Sequence, residues 1–269
     1  MERVQMFDRL GPIGVGTADL TSQEECVPTV VSALERGYRH IDTAQWYHNE
    51  SLVGEAIRQA DVERSDVTVA TKLFQENLSY DDVLSTTKES LDRLGVDKID
   101  LLYVHWPIET YDPEETLPAM DALVERGHVD YLGVSNFTEE LLREARSKLK
   151  EPIVAHQIEV HPLYPNRRQV EYCLSNDIVP VGFSPLAKGA ALEVEDIQQI
   201  AAECDITPAQ LCLSWAHSKG VVPIPRGRGE HVGENYAAAE IELTPAIINR
   251  IDQIEMENRT ADPDWAPWN

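Results

Sequence analysis

Four side chains of the kinds that move protons recur along this chain: Asp42, Tyr47, Lys72 and His105. Asp42 ends one expected strand, with Tyr47 five residues on in the loop after it, and Lys72 and His105 follow the runs VTVAT and LLYV. A phenol beside an ammonium, the ammonium beside a carboxylate and an imidazole opposite would make a proton-donating site. The ammonium favours the phenolate and is expected to lower the phenol's pKa. The carboxylate fixes and neutralises the ammonium, and the imidazole can donate a hydrogen bond to a carbonyl oxygen. Taken singly, Asp42 could just as well cap Thr43 and Ala44, and Tyr47 could be an ordinary half-buried aromatic.

The elements that would bring these residues together alternate strand and helix, with a period of roughly thirty residues. Strands are expected over 12–16, 38–42, 66–71 (running into Lys72), 99–104, 130–134, 153–158, 178–183 and 221–224. Helices are expected over 23–36, stopped by Gly37, then 50–59 from an Asn49 cap, 80–94, closed by Gly95, 113–126, 138–149, 167–175, 195–203 and 207–218. Two more lie near 231–239 and 244–255. Near-continuous apolar strands imply a parallel sheet buried on both faces. Eight such units without a domain break imply one α/β domain, a (β/α)8 TIM barrel over residues 1–269, with a short tail from about residue 259 near the barrel mouth.

Barrel chemistry gathers at the C-terminal ends of the strands. Reading the residues there gives Asp42, Tyr47, Lys72, His105, Ser135, Asn136, Gln157 and Ser184, which would share one rim. The loops after His105 and Leu186 are short, so little lid is expected.

Charge narrows the partners. With 47 acidic and 23 basic side chains the formal net charge is −24, which argues against nucleic acid or an anionic membrane. The acids are spread along the chain, and lysine is scarce, seven against sixteen arginines, a pattern expected of a surface adapted to high salt. No apolar run approaches membrane-spanning length and MERVQMFDRL does not read as a leader, so a soluble cytoplasmic protein is expected. Cys26, Cys173, Cys204 and Cys212 lack metal spacing and read as reduced structural thiols. His40, His48, His156 and His161 read as structural, and no metal site is expected.

With these positions in place, the sequence resembles the aldo-keto reductases along nearly its whole length. The matching segments, in order, are GVGT (14–17), GYRHIDTA (37–44) with YHNE (47–50), ATK (70–72), LLYVHWP (101–107), GVSNF (133–137), HQIEVHP (156–162), GFSPLAKG (182–189) and IPRGRGEHVGEN (224–235). The resemblance implies NADPH-dependent reduction of an aldehyde or ketone; NADH is the lesser choice, the substrate is expected to be a small molecule, and a monomer is expected. The family's tetrad falls on Asp42, Tyr47, Lys72 and His105, with Tyr47 giving the proton. The same resemblance puts the cofactor carboxamide on Ser135, Asn136 and Gln157, its ring on Phe183 and its pyrophosphate by Ser184, Leu186 and Lys188. The 2′-phosphate falls to Arg226 and His231, the adenine to Glu234 and Asn235, and Gly16 and Thr17 join the cofactor side.

The sequence also departs from the family pattern. Phe183 replaces the usual stacking tyrosine, which costs a hydroxyl but keeps the ring. The family commonly has Lys-Ser after Ile-Pro, whereas this chain has Arg226-Gly227 and one residue fewer before His231. A strand, a glycine-bearing loop and a helix start still make a phosphate site. Ala18 stands where a large aromatic is common, and Trp46 is bulkier than its usual counterpart, so Trp46, Phe74 and Trp106 are expected to refill the pocket from another side; the alternative is that Trp46 packs outward on the rim and Ala18 leaves an open mouth. A non-catalytic nucleotide-binding barrel acting as sensor or subunit is the rival reading, against which the intact tetrad speaks. Sugar or polyol oxidation would be the same chemistry reversed.

Overall fold

Helix starts are set by side chains that satisfy free backbone donors. Ser79, Thr138, Thr207 and Thr244 each accept a hydrogen bond from the N–H three residues on. The helix Tyr80–Leu94 ends on Gly95, whose left-handed φ of 66° suits a residue without a side chain.

The computed structural model describes residues 2–254, 256 and 258–269. Its strands are β1 (Val15–Gly16), β2 (His40–Asp42), β3 (Thr68–Leu73), β4 (Ile99–Val104), β5 (Val129–Ser135), β6 (Ile153–Glu159), β7 (Val179–Phe183) and β8 (Val222–Pro223). Its helices are α1 (Glu2–Leu10), α2 (Gln23–Glu35), α3 (Glu50–Gln59), α4 (Tyr80–Leu94), α5 (Thr116–Glu125), α6 (Glu139–Lys148), α7 (Arg167–Ser175), α8 (Glu195–Glu203), α9 (Pro208–Ser218), α10 (Glu230–Ala237) and α11 (Pro245–Asp252). The eight strands pair in sequence order, every pair parallel. The ring closes where Gly14 and Gly16 donate to the carbonyls of Pro223 and Pro225, both at 3.0 Å. This is a (β/α)8 barrel.

Alternation along the strands sorts side chains into two layers. Ala70, Leu101, Tyr103, Ala155, Val179, Val181 and Val222 pack together inside the ring. Their neighbours Val69, Leu73, Leu102, Val104 and Val134 pack outward with the helices. Two residues beyond the inner-layer positions come Lys72, His105, Gln157 and Phe183, so the inner face ends toward the mouth in three polar side chains and one aromatic ring. Gly133 makes room for this arrangement, since a Cβ there would lie 2.5 Å from the Tyr103 ring.

Several elements differ from the sequence expectations. Helix α1 was not foreseen; Met6 and Leu10 enter the inner cluster, and Thr68 at the start of β3 donates to the Arg9 carbonyl, so α1 plugs the end opposite the mouth. Strands β1 and β8 are only two residues long, because Pro12, Pro223 and Pro225 have no N–H to give a ladder. Asp66 lies in a 3-10 turn rather than in β3, and Lys72 lies within that strand. Helix α5 begins at Thr116, not residue 113, after turns in which Glu115 and Thr116 donate to the Asp112 carbonyl. Helix α11 ends at Asp252; Glu255, the expected end, lies outside the described residues.

Candidate active site at the strand ends

The mouth is held from beneath by Asn49 and Glu50. Asn49 stands at the expected cap position of α3, but its side chain makes no cap bond. Its amide donates to the carbonyls of Thr17 and Leu20 and its oxygen accepts from Thr43, tying the β1 loop to the β2 loop. Glu50, buried, accepts from Thr71, Ser90 and Arg93 and so locks the helix to the outer face of β3.

On this footing Lys72 is fully buried, with Nζ donating to Asp42 Oδ1 at 2.5 Å, to the Thr43 carbonyl at 2.8 Å and to the Tyr47 hydroxyl at 3.4 Å. All three ammonium protons are thereby used. Burial works against the lysine's charge, yet Asp42 and Tyr47 together outweigh it and raise its pKa. Asp42 Oδ2 accepts from Gln157 Nε2 at 2.7 Å. His105 meets Tyr47 edge to face, ring centres 5.7 Å apart, and burial, then Lys72, pushes its pKa well below the ordinary histidine value. The imidazole is neutral.

The expected direction for Tyr47 is reversed. Burial is the largest influence and raises its pKa, and the lowering effect of Lys72 does not cancel it. The phenol keeps its proton firmly until another base takes it.

A cavity of about 800 Å³ runs across the mouth. Asp42, Tyr47 and His105 line it, with Gly16, Ala18, Trp46, Trp106, Ser135, Asn136, Gln157, Phe183, Ser184, Leu186, Lys188, Arg226, His231, Glu234 and Asn235. Three candidates do not. Lys72 lies below the floor, Thr17 is buried with its hydroxyl turned to the Asp42 carbonyl at 3.0 Å, and Phe74 sits behind Trp46, 6.1 Å between ring centres. Thr17 therefore positions Asp42, and Phe74 backs the wall instead of forming it. Gln157 and Asn136 are engaged within the protein, Gln157 by Asp42 and Asn136 Nδ2 by the His105 carbonyl and Ser135 Oγ, each at 3.0 Å. Trp46 is 47% exposed and lies edge to face with His105, so it stands on the rim of the cavity.

Along the other arm, Arg226 pairs with Asp19 and His231 with Glu234, while Lys188 donates to the Thr260 carbonyl. Arg228 pairs with Glu25 at 2.7 Å and donates to the Asp19 carbonyl. Asp19 and Arg228 both line the cavity and were missed in the sequence, where the resemblance singled out their neighbours Ala18 and Arg226 instead. Ala261 lines it too, and Trp265 and Trp268 pack on Trp106, 4.9 and 5.5 Å between ring centres. A segment far along the chain thus adds Ala261 to the lining and backs Trp106 with two rings. Among the described residues no group of His, Cys, Asp and Glu could hold a metal, and no helix is long and apolar enough to cross a membrane.

The aldo/keto reductase family model matches residues 12–256. A methylglyoxal reductase of Salmonella typhimurium is 35% identical over 255 residues, 93% of this chain and 95% of that protein. An aldose reductase from Giardia lamblia superposes with a TM-score of 0.88 at 30% identity, covering 93% of this chain and 94% of that one. An aldo-keto reductase from a deep-sea metagenome library of the Medee basin gives 0.86 at 31%, covering 95% and 96%. Fold, the polar groups at the strand ends and sequence relationship agree: this chain belongs to the aldo/keto reductase family and is an oxidoreductase.

Proposed function

We propose that this chain reduces a compact aldehyde or ketone to the alcohol, with Tyr47 as proton donor and NADPH preferred over NADH. The observation that carries the reading is Lys72 Nζ, buried between Asp42 Oδ1 and the Tyr47 hydroxyl. The family works with NAD(P)H. The β7 loop suits such a cofactor: Ser184, Ala187 and Lys188 hold left-handed φ of 48°, 51° and 53°, backbone that can turn N–H groups toward an anion such as a pyrophosphate. Arg226 and His231 would then read the 2′-phosphate, and Phe183 would lie under the nicotinamide. When bound, the dihydronicotinamide supplies the hydride.

The rest is done by the protein. His105, neutral, donates a hydrogen bond to the carbonyl oxygen. As that oxygen gains charge, Tyr47 passes it the hydroxyl proton, and Lys72 stabilises the phenolate left behind. Asp42, fixed by Gln157 and Thr17, keeps Lys72 charged and in place. Trp46 and Trp106 would exclude water around a small substrate, in keeping with the methylglyoxal-reducing relative.

In the same reading residues 1–269 work as one barrel domain, a monomer in the cytoplasm. The net charge of −24 supports a surface adapted to high salt, where screening relieves mutual repulsion. The test is turnover of a panel of aldehydes and ketones with NADPH by the wild type and Tyr47→Phe. The variant should lose roughly two to four orders of magnitude in kcat while still binding NADPH. Wild-type rates in the variant would remove Tyr47 from the role.

A further inference from the structure

Glu159 is a carboxylate with no part in the tetrad, yet it is 2% exposed at the mouth end of β6. Burying a carboxylate is costly unless its oxygens are satisfied. Here Oε1 accepts from the Thr260 N–H at 2.7 Å, the Thr260 hydroxyl at 2.6 Å and His161 Nε2 at 2.9 Å, and Oε2 accepts from the Ala261 N–H at 2.9 Å. Three of the four donors belong to the tail, about a hundred residues away along the chain.

From this clasp onward the tail meets the cavity at Ala261 and backs its Trp106 wall. Trp265 and Trp268 cover Trp106, and Arg259, just before the clasp, stacks on the Trp268 ring. Trp265 remains 46% exposed, while Ala266 is buried and the Asn258 N–H donates to the Leu163 carbonyl just ahead of the clasp. Lys188 reaches the Thr260 carbonyl at 2.9 Å from the opposite arm, making residue 260 the point where the tail is fastened from both sides.

We propose that Glu159 is a positioning residue for the carbonyl substrate: by clasping Thr260 and Ala261 it sets the tail against Trp106, and the tail sets the size and apolar character of the substrate end. This rests on the proposed carbonyl reduction. The reacting groups do not touch Glu159, so the clasp governs how well a large or aromatic carbonyl is held, and much less how fast a small one reacts once bound.

The experiment uses the full chain with NADPH, a three-carbon aldehyde and an aromatic aldehyde. Glu159→Ala should raise KM for the aromatic aldehyde about tenfold, with kcat for the small aldehyde and KM for NADPH within about threefold of wild type. Glu159→Gln, which keeps one acceptor oxygen, should recover part of the loss. Trypsin should cut after Arg259 in Glu159→Ala faster than in wild type, the released 260–269 peptide being read by mass spectrometry. Should Glu159→Ala fail to fold, Thr260→Pro removes both Thr260 donors from the other side of the clasp and should give the same KM split; its tail is probed with chymotrypsin at Trp265, because trypsin does not cut an Arg–Pro bond. A freed tail with unchanged KM for the aromatic aldehyde, or a variant that folds with its tail still protected, overturns the proposal. A wild type inactive on every carbonyl would instead overturn the underlying reading of the site.

Discussion

The two arms of the cavity neutralise their charges by opposite means. At the tetrad, Lys72 and Asp42 are both almost wholly buried and every strong donor and acceptor between them is matched within the protein. At the β8 loop, Arg226 is paired with an Asp19 side chain that is 75% exposed, and Arg228 with a Glu25 that is 40% exposed. Removing one partner of a buried pair typically costs 3–5 kcal/mol, whereas an exposed pair is worth about 0–1 kcal/mol. The first arm is built to stay as it is during chemistry. The second is built to be exchanged, since a phosphate can take the place of a surface carboxylate at little cost.

The sharpest way to break this contrast is Lys72→Met. It strands Asp42 as a buried unpaired charge and removes the group that would stabilise the Tyr47 phenolate. A fall in kcat of roughly three orders of magnitude is expected, equally in dilute buffer and in molar salt, because salt does not reach a buried pair. A loss that salt restores would show that the tetrad behaves like the rim.

Acid tests the buried arm next. His40 lies beneath Asp42 and its pKa is pushed down to about 4, mainly by burial; burial likewise lowers His156 to about 3. Both are neutral when folded and protonate near 6.5 when unfolded. Between those values the unfolded chain binds the extra protons, so stability is full above about pH 6.5 and falls as pH drops toward 4 for His40 and 3 for His156. Shifts of this size are worth roughly 3 to 5 kcal/mol each. Urea melts at pH 7 and pH 5 measure the loss, and His156→Gln should shrink it; identical midpoints at both pH values would contradict the assignment.

The smallest effect belongs to the rim. Arg226→Ala should raise KM for NADPH about tenfold and leave NADH nearly untouched, since a guanidinium can bond two phosphate oxygens at once. Raising salt should erode the wild-type preference, and equal effects on both cofactors would show that Arg226 does not read the phosphate.

Legibility in the sequence depended on the range of each interaction. Strand ends and capped helices were readable because they depend on neighbours in sequence, as in α4 between Ser79 and Gly95. The tetrad positions came from the strand ends. The role of Asn49 was misread because an asparagine before a helix has the same local signature whether it caps or reaches across to Thr17 and Leu20. The pKa of Tyr47 could not be signed from residue types, since burial, not charge alone, decides it. Phe74 and Trp46 are adjacent candidates whose order, one behind the other, is a matter of packing. The Glu159 clasp joins residues about a hundred positions apart and has no local trace, although two tryptophans, Trp265 and Trp268, in a polar tail were a signal that the tail packs against something. Met6 and Leu10, four apart, were the corresponding hint for α1.

Helix α1 also decides how the protein can be handled. It sits at the closed end of the barrel, with Arg9 paired to Asp100 at the start of β4, while residues 260–268 sit beside the opening. An affinity tag or a tether to a resin or electrode joined ahead of Glu2 would therefore leave the opening facing solution. The same attachment after Asn269 would crowd the opening itself, and its effect on rate would depend on the size of the carbonyl being turned over.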